Sequence, residues 1–163
     1  MKKFIHMLGL LLVILCIQTM VQAQPARMAG MLERHNHWRK AVGVPPMKWS
    51  VKLALQAQAW ADSQAKRGDC ACKHSTDTMY GENIYCSQGI ASKAGDVADS
   101  WASEKKFYNH TAGKCKGGEC GHYTQMVWRT TTEVGCGMAR CGDKEIWVCN
   151  YNPPGNYINK KAY

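Results

Sequence analysis

Two histidines and two glutamates occupy settings that ordinary solvated surface does not call for. They are His74 in Lys73-His74-Ser75, Glu82 between Gly81 and Asn83, Glu104 in Trp101-Ala102-Ser103-Glu104, and His122 between Gly121 and Tyr123. Imidazole nitrogens ligate divalent cations such as Zn2+, and carboxylates orient those rings from behind or take a proton from a bound water. The same four groups could instead form a hydrogen-bonded polar cluster. Spacing does not choose between the readings, because the residues span 49 positions and lack the H-E-x-x-H arrangement that sets ligands on one helical face. His35, His37 and His110 lie in helix or loop positions without acidic company and read as surface or capping groups.

Any convergence of the four needs elements to hold it. Met31, His35, Trp38 and Val42 share one face of a helix predicted over 28–42, which Gly43 stops. Pro45 and Pro46 exclude helix from the next stretch, an extended connector, and Ser50 is placed to cap a second helix. Leu53, Ala57, Trp60, Ala61 and Gln64 repeat at helical spacing over Val51–Lys66, and Gly68 offers the terminating turn. Residues 70–95 read as loop around one short strand over 83–86. A third helix is predicted over 97–108 with Asp96 as cap, which sets Glu104 on a stripe with Val97, Trp101 and Tyr108. A glycine-rich excursion over 112–121 and a short helix in "HYTQMVW" follow. Two strands flank the turn at Cys141-Gly142-Asp143-Lys144, and the tail after Tyr157 reads as loose. Helices followed by strands favour an α+β fold over a doubly wound sheet.

Residues 1–23 read as an export signal, with Lys2 and Lys3 before an apolar stretch and Val21-Gln22-Ala23 at its end. That stretch falls short of the roughly 20 apolar residues of a membrane span, and no later segment qualifies, so no transmembrane segment is expected. Residues 24–163 then form a single domain, secreted to the extracellular space or, in a bacterium, to the periplasm. Nine cysteines less Cys16 leave an even eight, which in an exported domain points to four disulfides with about 105 pairings open. Neither Cys70-Ala71-Cys72 nor the Cys136 to Cys141 interval has the rhythm of a structural zinc module. A net charge of +9, or +7 without Lys2 and Lys3, favours weak contact with anionic cell surfaces. No single basic stripe with interleaved aromatics is present, which argues against nucleic acid. Asn109-His110-Thr111 is a glycosylation sequon in a eukaryotic host.

"GHYTQMVW", followed by "VGCGMARC" and "VCNYNPPGNYI", resembles the signature segments of the CAP superfamily: cysteine-rich secretory proteins, insect antigen 5 and plant pathogenesis-related protein 1. "MLERHNHWRKAVGVPPMKWSVKLALQAQAWA" is similar to that family's opening helices, and "HS", "GENIY" and "WASE" to its middle. The likeness covers 28–163, and the plant type is nearest. It implies an α-β-α sandwich with a central cleft lined by two histidines and two glutamates. Here these fall on His74 and His122, able to hold zinc or another divalent cation, with Glu82 and Glu104 behind them and no catalytic residue. The resemblance also implies bridges Cys70–Cys141, Cys115–Cys120 and Cys136–Cys149, and leaves Cys72 and Cys86 for each other. The implied function is a non-enzymatic defence-type or sterol- or fatty-acid-binding protein; the alternative is a zinc-dependent hydrolase or protease using the same cleft. In the plant type the last 11 residues, here "PPGNYINKKAY", can be released as a peptide, although Ala162 stands where that pattern has proline.

Overall fold

The computed structural model describes residues 24–76 and 79–163; the export signal read over 1–23 lies outside the described residues. A 3-10 turn, Ala26–Met28, precedes α1 (Met31–Ala41). Then come β1 (Lys48–Trp49), α2 (Val51–Lys66), β2 (Gly81–Gln88) and α3 (Ala94–Ala102), which tightens into a 3-10 turn over Ser103–Phe107. A small hairpin, β3 (Tyr108–Asn109) and β4 (Lys114–Cys115), leads to α4 (Gly121–Met126) and the long strands β5 (Glu133–Cys141) and β6 (Lys144–Asn152). The main sheet runs β1-β5-β6-β2, parallel only between β1 and β5.

Strand alternation builds a three-layer sandwich, an α+β fold. On β6, Ile146 and Val148 face α2, where they join Ala57, Ala61 and Ile84. Trp147, Cys149 and Tyr151 face the opposite way, into a larger cluster with Met31 of α1, Val97 and Trp101 of α3, and Tyr123 and Met126 of α4. Helix α2 lies close on the sheet because β5 presents glycine to it: a Cβ at Gly135 would stand 2.3 Å from the Ala54 amide nitrogen. Cys70–Cys141 and Cys72–Cys86 tie the loop after α2 to β5 and β2, Cys136–Cys149 crosses β5 and β6, and Cys115–Cys120 closes the segment before α4.

Several elements differ from the sequence reading. Helix α1 begins at Met31 rather than 28, because Gly30 adopts a left-handed conformation that breaks the path from the preceding turn. The proline connector contributes β1. Ser50 stands at the N-cap of α2, but its side chain makes no capping bond. Strand β2 covers eight residues rather than four, every one in register with β6. The third helix starts earlier and ends at Ala102, with Lys93 rather than Asp96 at its N-cap, so Glu104 sits in a 3-10 turn. The tail is not loose: Ala162 is buried, donates its N–H to the Tyr108 hydroxyl and accepts from the Arg129 amide.

Candidate functional site

Each of the two histidines is held by one glutamate through the same atom. Glu82, at the start of β2, accepts at Oε1 from His74 Nδ1 at 2.6 Å and from the Ser75 amide at 3.1 Å. Glu104 accepts at Oε1 from His122 Nδ1, also at 2.6 Å, and at Oε2 from the amides of His122 and Tyr123 at 3.0 and 3.2 Å. The 3-10 turn after α3 is what aims Glu104 at the first turn of α4. An ionised carboxylate only accepts, so the proton of each ring sits on Nδ1 and each Nε2 keeps its lone pair. Neither Nε2 has a protein partner among the described residues.

Charge and burial reinforce this arrangement. The bond that His74 donates to Glu82 raises the His74 pKa above its ordinary value against the opposing effect of partial burial. Burial pushes the Glu104 carboxyl up, but the bond from His122 and those from two backbone amides outweigh it and hold it below the usual range. His122 also stacks against Trp101, whose indole N–H donates to the Ile84 carbonyl.

His74, Glu82 and His122 line one cleft of about 480 Å3, together with Asn83, Glu119, the Cys115–Cys120 segment and Asn156. Glu104 lies behind His122, outside that lining. The structure therefore brings all four sequence-named residues into one neighbourhood, three at the wall and one behind it. Among the described residues no group of three or more His, Cys, Asp or Glu side chains is arranged to hold a metal ion, so the chain offers two imidazole donors. Two imidazoles are fewer than the three protein ligands usual for catalytic zinc or the four of a structural zinc site. Among the described residues one buried carboxylate oxygen, Glu82 Oε2, has no partner.

Asn83, Tyr151 and Arg39, which the sequence reading missed, and His35, which it misplaced, support the site from below. Asn83, buried and next to Glu82, donates its amide to the His122 carbonyl at 3.0 Å and to the Tyr151 hydroxyl at 3.1 Å. Tyr151 in turn bonds His35 Nε2 at 2.8 Å, while His35 Nδ1 bonds the Met31 carbonyl. His35, read as a surface or capping group, is thus fully buried, and desolvation lowers its pKa to about 4, so it is neutral. Arg39, also buried, donates to the carbonyls of Pro45, Met126, Trp128 and Thr131 and so clamps the exit of α4. His35 and Arg39 follow Met31 at i+4 and i+8, a burial signal that their polarity masks.

This sandwich, its bridges and its paired His–Glu cleft define a class. The chain belongs to the cysteine-rich secretory protein family, whose CAP model matches residues 32–151. It is 44% identical over 128 residues to a pathogenesis-related protein PR-1 of Medicago truncatula, covering 77% of this chain and 72% of the relative. Among solved structures, BmVAL-1 superposes with a TM-score of 0.72 at 26% identity, over 87% of this chain and 84% of that one. NaASP2, solved with Zn2+, shares the fold at a TM-score of 0.69 and 24% identity, over 86% of this chain and 90% of its own.

Proposed function

We propose that this is an exported, single-domain, defence-type recognition protein whose cleft takes a divalent cation on His74 and His122 and does no turnover. The observation that carries the reading is the matched pair of 2.6 Å carboxylate–imidazole bonds. A ligating histidine characteristically gives its second ring N–H to a carboxylate, which fixes the tautomer and raises the basicity of the free nitrogen. A cation held there supplies a positive anchor for an oxygen-bearing ligand. The chain's own residues orient the rings, and Asn83 holds the backbone of His122 in place.

Binding is favoured over hydrolysis because the carboxylates are occupied with positioning. Glu104 accepts three hydrogen bonds, and two imidazoles are fewer than the three protein ligands usual for catalytic zinc. The alternative, a zinc-dependent hydrolase, would have to use Glu82 as base through its unpartnered Oε2. Among the described residues the cleft lining contains no aliphatic side chain, so a sterol or fatty acid would find its hydrocarbon wall elsewhere on the molecule. Export is supported by four disulfides, which persist in oxidising compartments.

Isothermal titration of the metal-free protein with zinc chloride at neutral pH tests the reading. It predicts one ion per chain, with binding abolished in both His74→Ala and His122→Ala. Binding that survives either change, or none in the parent, rejects it. Zinc-dependent peptide or ester cleavage lost in both variants would replace it with the hydrolase.

A further inference from the structure

Residues 105–118 and 153–163 together contain six lysines and no aspartate or glutamate. They lie far apart in sequence, yet the fold lays the tail against the β3–β4 hairpin. Lys114, Ile158 and Lys160 line one hollow, and Lys161 packs against Gly113. Among the described residues none of these lysines is in an ion pair, and all are exposed. The next acid along the chain, Glu119, belongs to the cleft wall.

Beside Lys114 and Lys160 projects an apolar tip. Ile158 is 88% exposed and Tyr157 54%. The tip is not a floppy end. The Lys160 amide closes a turn on the Tyr157 carbonyl, with Asn159 in the left-handed conformation that such a turn needs. Asn156 anchors one side through Thr124 and Gly121, and buried Ala162 anchors the other through Tyr108 and Arg129. A rigid support that holds an isoleucine in water, beside the exposed Lys114 and Lys160, has the composition of an interfacial anchor.

We propose that the Tyr157–Ile158 turn, with Lys114, Lys160 and Lys161 around it, is a docking surface for anionic phospholipid bilayers. Charge alone would suit any polyanion. The exposed isoleucine decides for a bilayer, because a glycan or nucleic acid offers it no hydrocarbon, whereas tyrosine and lysine stems suit the headgroup layer. The hollow beneath the turn shares Cys115, Cys120, Gly121 and Asn156 with the cleft, so docking would bring the cleft mouth beside the membrane. The inference does not depend on the cleft holding a cation.

The test is co-sedimentation of the full disulfide-bonded protein with vesicles of phosphatidylcholine alone or mixed with phosphatidylserine, at 0.1 and 0.5 M NaCl. The docking surface predicts saturable binding to the anionic vesicles at low salt, lost at high salt. Ile158→Asp should weaken it by about tenfold or more, and each of Lys160→Glu and Lys161→Glu by roughly fivefold or more. Lys52→Glu, an exposed control on α2, should change it little. Circular dichroism melts verify that each variant folds. No binding in the parent overturns the proposal. So does an Ile158→Asp variant that binds as the parent does, which would mark a general polyanion surface. Equal losses in Lys52→Glu and the tail variants would also overturn it, reducing the effect to net charge.

Discussion

Replacing His35 by glutamine should flatten the acid side of the stability profile. Burial lowers the His35 pKa to about 4, helped by the Arg39 charge and opposed by the bond to the Met31 carbonyl and by Asp99. Tyr151, the other titratable group against the ring, is driven well above its ordinary value by its own burial and stays neutral. The unfolded chain takes up the proton near pH 6.5, the folded protein only near 4. The contribution of His35 is therefore complete above pH 6.5 and is lost as pH falls between the two values. A gap of about 2.5 pH units at about 1.4 kcal/mol each caps that loss at about 3–4 kcal/mol, of which about 3 kcal/mol is gone by pH 4. His74 acts in the opposite sense, but its ring is largely exposed, and it is present in both proteins, so it cancels in the comparison. Urea unfolding of parent and His35→Gln at pH 7.0, 5.5 and 4.0 measures the difference. The variant should begin less stable at pH 7, and the gap should shrink or reverse by about 3 kcal/mol toward pH 4. Parallel profiles would show that His35 is not buried as a neutral ring, and the Tyr151–Asn83 chain beneath the cleft would lose its foundation.

Glu104→Gln should cost about 10- to 100-fold in zinc affinity by titration calorimetry, because glutamine puts a donor among three N–H groups that the carboxylate now accepts. Removing the Cys72–Cys86 bridge with paired serines reopens a closure of 14 residues, worth about 3 kcal/mol in denaturant unfolding, and frees the loop that carries His74, so zinc affinity should fall with stability. Gly135→Ala should destabilise by about 3 kcal/mol or more, or prevent soluble expression. The new Cβ would meet backbone of Ala54 and Ser50 within 2.4 Å, and neither can retreat without shifting α2.

What was legible in the sequence is what local periodicity and residue type carry. Helix α2 could be read from Val51 to Lys66 through Leu53, Ala57 and Ala61, because most of its inner face is apolar. Strand β2 was seen only at its centre. Gly81, Glu82, Ser87 and Gln88 show no alternation, and the strand extends through them because β6 supplies a partner at every position. His35 was misjudged because burying an imidazole is tolerable only with a partner for its ring, and that partner, Tyr151, lies 116 residues away. The four cleft residues could be named, yet not joined. Each His–Glu pair is bridged within 8 or 18 residues, but their common wall depends on Asn83, which carries no signal of its own. The lysine face was invisible for the same reason: its members come from segments that only the fold lays side by side.

The account stands on His74 and His122 presenting their Nε2 atoms to one cleft. Crystals grown from zinc-containing solution, with anomalous data collected at the zinc edge, address it most directly. The prediction is a single strong peak at about 2.0–2.1 Å from both Nε2 atoms, with Glu82 and Glu104 still bonded to the two Nδ1 atoms. A map with no peak in the cleft, or with the two imidazoles too far apart to share one ion, would contradict it.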